Sequence, residues 1–356
     1  MKIRDARDED AGAIARMAED SDLLVGELTS ANFASLLAWL YADAPPQVRL
    51  QFVAEHEERV VAHYAAVPFL YKLFDETCVA GLASNLVIER EHRAGMLFLS
   101  LQSYLQREYR KKEFRFVYGL VTRKNVLEPH LRMGWKKIGV VPVYAKPFNF
   151  PAVAASALRS GAVRTLAHVP LKAAEAVWKL RWSGRARGIT VDEVPRFEAD
   201  TDAFLADFTA ARAVAAVRTR EILNWRFASY PERAYRIFVA RERGRVVGYV
   251  VTRRMAMKHL QALAVVDLAF DPACERVGAA LLQRCDREAM LARADVAATI
   301  LSPHSPFARY LRRFGYLRTP ESFTLVVHAP KDASAPSFGA ELFSSWHVTW
   351  FDHDYV

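Results

Sequence analysis

The stretch IEREHRAGMLFLSL, residues 88–101, holds the pattern in this chain that comes nearest to a chemical site. It reads as a strand end, a turn and the first turns of a helix. Such a turn presents successive backbone N–H groups at a helix N-terminus, an arrangement that binds anions. Glycine is sparse in it: Arg93, Ala94 and Gly95 are followed by Met96, Leu97 and Phe98. Two readings stay open, a phosphate cradle and a plain β-to-α corner. Asp267 lies inside the apolar run LAVVDLAF, and a carboxylate there must be paired or reactive. It would either bind an ammonium group or form a buried pair with an arginine. The tail SSWHVTWFDHDYV contains His347, Asp352, His353 and Asp354, but nothing in their spacing fixes a metal geometry. No metal is expected there, and the tail reads as a final strand packing Trp346 and Trp350.

The elements that must position these residues come out of an internal repeat. When the chain is slid against itself by 186 positions, residues 37–64 lie over 223–250 without a gap. Leu37, Trp39, Ala42, Pro45, Phe52, Val53, Ala54, Arg59, Val60 and Val61 then meet identical residues. Both segments end as an alternating strand, a charged turn and a second strand, which is a β-hairpin. EHRAGMLFLSL similarly matches CERVGAALLQR, and LRMGW matches LRRFGY. The expected organisation is a first unit at 1–150, a basic helical segment at 151–189, a second unit at 190–330 and a tail at 331–356. In the first unit MKIRDA reads as a strand, and Asp8 as the cap of a helix with Ile14, Met17 and Ala18 on its apolar face. A helix with Phe33, Leu36, Leu37 and Leu40, the hairpin, and then strand, helix, strand, helix and strand follow. The long helix puts Leu97, Leu101, Tyr104 and Leu105 on one face, with cations at its C-terminal end. The class is α/β with a mixed sheet.

Composition bounds the rest. The 356 residues are 52 % hydrophobic and 25 % charged, which suits two or three globular domains. Cys78, Cys274 and Cys285 lie far apart without a CxxC spacing and read as buried residues of a reducing cytoplasm. No secretory signal and no apolar run of about 20 residues is present. The net charge of +9 is concentrated: residues 151–188 hold seven basic residues against Glu175 alone. That segment reads as a solvated connecting helix or as a contact with an anionic membrane surface, since Leu171, Ala174, Val177 and Trp178 form an apolar stripe among cations. RNA is the weakest partner, for want of interleaved aromatics, and DNA is not expected.

The order of elements, with EHRAGMLF opening the long helix and NVLEPHLRMGW after the next strand, resembles the GNAT superfamily of acyl-CoA N-acyltransferases. KIRDARDEDAGAIARMAED is similar to a GNAT opening, and the resemblance covers both halves. It implies two tandem GNAT-like domains, each a mixed, mostly antiparallel central sheet flanked by helices. In that family the turn runs Arg/Gln-x-x-Gly-x-Gly/Ala and holds the CoA pyrophosphate. Counted from Arg93, Met96 and Phe98 stand where small residues are expected; counted through Gly95, Arg90 or His92 leads. The resemblance implies that acetyl-CoA or another acyl-CoA is held by His92, Arg93, Ala94, Gly95, Met96, Leu97 and Phe98. It implies that the strand from Asn85 through Leu86, Val87 and Ile88 pairs with the pantetheine arm, and that Asn125 lies near the CoA. The second copy departs further, in CERVGAALL and in SPHSPFARYLRRFGY, which lacks the asparagine. The first copy is therefore the expected CoA lobe, and the second shapes the acceptor pocket or is a degenerate partner.

Candidate chemistry follows from the same resemblance. His130 stands where the family often carries a tyrosine that protonates the leaving thiolate. With an ordinary pKa of about 6.5 it would do this or act as base; otherwise it is a helix-face histidine satisfied by backbone. Asn85 stands where a carboxylate base is common and can only orient water or substrate. Tyr118, at the end of the next strand, is a third candidate, with core packing as its other reading. Trp39 and Trp225 are repeat-equivalent, through shared packing or through acceptor contact at Trp39. The implied activity is cytoplasmic transfer of acetyl or another acyl group from CoA to a primary amine, an amino sugar or small metabolite, by direct attack in a ternary complex. Two other readings are a Fem-type transferase using aminoacyl-tRNA and a non-catalytic ligand-binding scaffold.

Overall fold

The computed structural model describes residues 1–21, 24, 28–93, 96–157, 188–230, 233–257, 259–330 and 338–353. The apolar stripe of the basic segment, and with it the expected membrane contact, lies outside these residues, as do Ala94, Gly95 and Asp354.

The first half runs β1 (Lys2–Asp5), α1 (Ala11–Asp20), α2 (Ser30–Tyr41), β2 (Leu50–His56), β3 (Arg59–Leu73), β4 (Glu76–Ile88), α3 (Leu97–Lys111), β5 (Phe114–Val121), α4 (Lys124–Arg132), β6 (Lys136–Pro147) and α5 (Phe150–Ala157). The second half repeats this plan with β7 (Thr190–Val194), α6 (Asp202–Ala210), β8 (Val214–Ala216), α7 (Arg220–Leu223), β9 (Tyr235–Glu242), β10 (Arg245–Met257), β11 (Leu260–Phe270), α8 (Glu275–Leu291), β12 (Val296–Ile300), α9 (Ala308–Arg313) and β13 (Leu317–His328). The tail adds β14, only Trp346–His347, which pairs with β8 and buries Trp346 and Trp350.

Local chemistry explains most boundaries. Both hairpins turn on two residues with positive φ, Glu57 and Glu58 in one, Arg243 and Gly244 in the other, the twist that short hairpins favour. α3 buries Leu97, Leu101 and Leu105 and ends on Arg110 and Lys111, where cations meet the negative end of its dipole. α1 buries Ile14, Met17 and Ala18 as its periodicity requires. Its start differs from expectation. Asp8 is exposed and pairs with Arg49 at 2.8 Å, while Asp10 closes the turn by accepting from the Arg7 backbone N–H at 2.7 Å and from Arg4.

The strands form one sheet in the order β1-β2-β3-β4-β5-β13-β6-β12-β11-β10-β9-β7. Among the described strands only β4–β5, β11–β12 and the short β8–β14 pair run parallel. The middle of this order crosses the halves. β13, from the second repeat, sits between β5 and β6, and β6, from the first, sits between β13 and β12. Each repeat is thus completed by the other's last long strand. One apolar core continues through both halves, and a second packs α3 on β2–β5. Trp39 and Trp225 stack at 4.4 Å between ring centres, so the repeat-equivalent indoles are each other's partners across the join.

Candidate functional site

β4 and β5 pair from Val79–Phe114 to Leu82–Tyr118 and no further. Beyond Leu82 the strands part. On its other side β4 is bulged against β3: His63 faces Val87 and Ala65 faces Ser84, leaving an extra residue between. Asn85, in that bulge, has φ 52°, the left-handed region that asparagine tolerates better than most residues. A cavity of about 220 Å³ opens where the strands part. Ala83, Ser84 and Leu86 form one wall, Leu120 and Val121 another, and Tyr64 and His130 also line it. Neither Met96 nor Phe98 plugs this opening. Met96 is 71 % exposed, and the Phe98 ring lies against His130 at 5.5 Å without lining the cavity.

His130 is buried, and both its ring nitrogens are engaged. Nδ1 lies 2.7 Å from the Val126 carbonyl, which only accepts, so Nδ1 carries the proton. Nε2 is left as an acceptor for the Gln102 amide at 2.8 Å. The same Gln102 nitrogen donates to the Tyr64 hydroxyl at 3.0 Å, and Gln102 Oε1 accepts from the Trp135 indole at 3.2 Å. Tyr64 Oη stands 3.4 Å from His130 Nε2. Burial pushes His130 below its ordinary pKa and raises Tyr64 above its own, so both are neutral at pH 7. A second polar cluster flanks the bulge. Asn85 Nδ2 donates to Tyr41 Oη at 2.8 Å, and Tyr41 Oη also meets Ser84 Oγ at 3.1 Å.

Several expected residues sit elsewhere. Leu86 lines the cavity, but Val87 and Leu97 are core residues. Arg93 is exposed, and its guanidinium donates to the Ile88 carbonyl at 2.8 Å and to Ser21 Oγ at 2.8 Å, closing the turn onto β4 and α1. His92 packs edge-on against His56 at 5.4 Å. Asn125 is exposed on the first turn of α4 and does not line the cavity, whereas Arg123 and Val126 do. Tyr118 faces away, into the core, where its hydroxyl reaches the Asp352 carbonyl at 3.3 Å. Its packing reading is the observed one: the ring is fully buried and does not line the cavity.

Asp267 shows the paired alternative. It is 1 % exposed; Arg218 holds both its oxygens at 2.9 and 3.0 Å, and Tyr249 and Thr349 donate to it at 2.6 and 2.9 Å. Those donors leave no lone pair open to an acceptor ammonium. Asp267 pairs across to Val251, the repeat counterpart of Ala65, whose own partner is Ser84. The carboxylate therefore occupies in the second repeat the place beside the bulge that Ser84 holds in the first, and Thr349 brings the tail onto it. Trp39 is 5 % exposed and used up by its stack with Trp225, which corrects its assignment to acceptor contact. Of the tail, Asp352 accepts from Tyr71 Oη at 2.6 Å and the Thr349 N–H at 2.9 Å.

Tyr64, Gln102, Tyr41, Ser84 and His63 were not singled out from sequence. The available signal was AHY within the apolar run RVVAHYAAV, since polar groups in a buried strand need partners.

No family model matches the sequence, and no curated protein matches it. Solved structures do. A GCN5-related N-acetyltransferase from Anabaena variabilis is 9 % identical, with 92 % of this chain and 72 % of that one covered and a TM-score of 0.64. A second, from Kribbella flavida, is 14 % identical, covered over 92 % and 70 %, at 0.61. N-myristoyltransferase from Saccharomyces cerevisiae with bound myristoyl-CoA is 11 % identical, covered over 92 % and 82 %, at 0.60. At such identities the likeness is one of fold: the chain has two GNAT-like units across its length.

Proposed function

We propose that this chain is an N-acyltransferase that moves an acyl group from CoA to a primary amine, an amino sugar or small metabolite, in the first repeat. The observation that carries this is the parting of β4 from β5 at the Asn85 bulge, with the Tyr64–Gln102–His130 cluster beside the opening. The fold shared with N-acetyltransferases and N-myristoyltransferase supports it.

The chain's own groups divide the work. On the side facing β5, the backbone of Ala83–Leu86 has no ladder partner, so its N–H groups are open to a pantetheine arm and to the thioester oxygen as charge develops. The leaving thiolate needs a proton, and Tyr64 keeps one at neutral pH because burial raises its pKa. The Gln102 amide steadies the phenolate oxygen once that proton leaves, and the proton shed by the attacking nitrogen as the amide forms restores the phenol. His130, neutral and fixed by Val126, holds Gln102 in place. Ser84, which lines the opening, and the Asn85–Tyr41 pair bonded to it beside the bulge orient the amine. Asp267 already has its counter-ion, so the second repeat serves as the partner lobe.

Isothermal titration with acetyl-CoA and free CoA tests this. Wild type is expected to bind in the micromolar range. Ala83→Phe, which fills the cavity, loses at least about tenfold in affinity. Tyr64→Phe keeps the affinity and loses about a hundredfold in turnover, followed as thiol release with an amine panel. Absence of binding to wild type at millimolar CoA would overturn the CoA reading and leave the tRNA-dependent and non-catalytic ones.

A further inference from the structure

The left-handed residue at the centre of β4 is held from two sides. Asparagine side chains tolerate this conformation, but inside a long strand the ladder competes with it, and something must over-determine the backbone. Tyr41 takes the side chain of Asn85, as described above. The backbone is taken by His63. This histidine lies on the adjacent β3, is 0 % exposed, and places Nδ1 2.7 Å from the Asn85 carbonyl oxygen. That oxygen only accepts, so Nδ1 carries the proton and Nε2 keeps a lone pair. The Gln51 amide nitrogen, 3.1 Å from Nε2, donates into that lone pair. Gln51 Oε1 in turn accepts from Arg49 at 3.0 and 2.8 Å, and Arg49 is anchored at the surface to Asp8 at 2.8 Å. The chain Asp8–Arg49–Gln51–His63 therefore has one donor and one acceptor at every joint and ends on the bulge carbonyl. Burial brings His63 down to about 4, which keeps this polarity intact through neutral pH.

The second repeat is an internal control. Its counterpart of His63 is Tyr249, whose hydroxyl goes to the Asp267 carboxylate and not to a backbone carbonyl. There the bulge falls at Val266, and no residue of β11 has positive φ. Where the histidine is absent, so is the left-handed residue, although β11 too leaves β12 after Ala264–Ala298; what goes with the histidine is the backbone conformation in the wall of the opening.

We propose that His63 is a positioning residue: by holding the Asn85 carbonyl it fixes the left-handed bulge in the wall of the β4–β5 opening, and so sets the geometry of the thioester site. The catalytic consequence rests on the acyltransferase reading; the backbone consequence does not. His63 touches no reacting atom and acts through Asn85.

The test compares His63→Phe, which keeps a ring and deletes both nitrogens, with His63→Asn, whose amide nitrogen falls near the Nδ1 position. Crystal structures report φ at Asn85 and the β4–β5 separation, and titration reports the acyl-CoA affinity. In His63→Phe, Asn85 leaves the left-handed region and affinity falls about tenfold, the factor carried by one lost hydrogen bond. His63→Asn restores both. Adding Asn85→Gly to His63→Phe also restores affinity, because glycine takes positive φ without a clamp. Should His63→Phe not fold, His63→Gln carries the comparison, since its amide reaches the Nε2 position and not Nδ1. A His63→Phe variant that keeps both the Asn85 conformation and wild-type affinity overturns the inference. If wild type binds no acyl-CoA, the acyltransferase reading falls, and the backbone comparison alone decides the clamp.

Discussion

His63, His130, His328 and His347 are all buried, and burial is the main cause that lowers the pKa of each, to about 4 for His63 and His328. An unfolded chain protonates its histidines near 6.5, whereas the folded one resists until well below. As pH falls from 6.5 toward 4 the unfolded state therefore takes up protons first, and stability drains away across that window. His63 alone accounts for about 3 kcal/mol over the full interval. Asp286 and Asp352, pushed up to about 6 by burial, work the other way below that pH, but they are two against four. Urea unfolding is thus expected to show a lower midpoint at pH 5 than at pH 7; an equal or higher midpoint would mean that these rings titrate normally. Legibility at this scale was uneven. That Asp267 needed a partner followed from its apolar run, but Arg218 stands 49 residues away and nothing local points to it. His130 was legible as a titratable residue on α4, while the acceptor state of its Nε2 is decided by Gln102 on α3.

Helices and strands were the most legible objects. The runs FRFVYGLV and VLEPHLRMG became β5 and α4 because period-two and helical patterns are short-range properties of the chain. What two elements do to one another was not legible. β4 and β5 read alike in sequence whether they stay paired or part after Leu82; the pairing ends beside a bulge whose partners lie on β3 and α2. The Trp39–Trp225 stack is of the same kind: the repeat showed the two indoles as equivalent, and only the packing of α2 on the segment after α7 made them partners. Among the described residues neither indole nitrogen has a hydrogen-bond partner, so the pair contributes through apolar contact. Trp39→Ala is expected to cost about 3–5 kcal/mol, the range for a buried Trp or Phe truncated to alanine. Chemical denaturation measures it, and a cost below about 1 kcal/mol would remove the stack as a joint between the repeats.

At the scale of the molecule the decisive feature is the crossed centre of the sheet. β6 pairs with β12 through Val143–Ile300 to Pro147–Val296, and β13 pairs with β5 through Val121–Thr324 to Val117–His328. Cutting the chain between repeats would expose an unpaired edge in each half and remove a strand from both. Residues 1–157 and 188–356 expressed separately are expected to lack cooperative unfolding, and to regain it when co-expressed, as read by thermal melts and amide dispersion. Two independently melting halves would count against the exchange.

The sequence by itself determined the α/β class, the duplication, most strand and helix bounds and the resemblance to the GNAT superfamily, because these are written in local periodicity and in residues recurring at a constant offset. Tertiary structure alone decided the strand order, the opening between β4 and β5, the occupied state of Asp267 and the clamp on Asn85. Each depends on groups far apart in the chain, as when Tyr71 meets Asp352 across 281 residues. Burial, which sets both the hydrogen-bond partners and the protonation of those groups, exists only once the chain is folded.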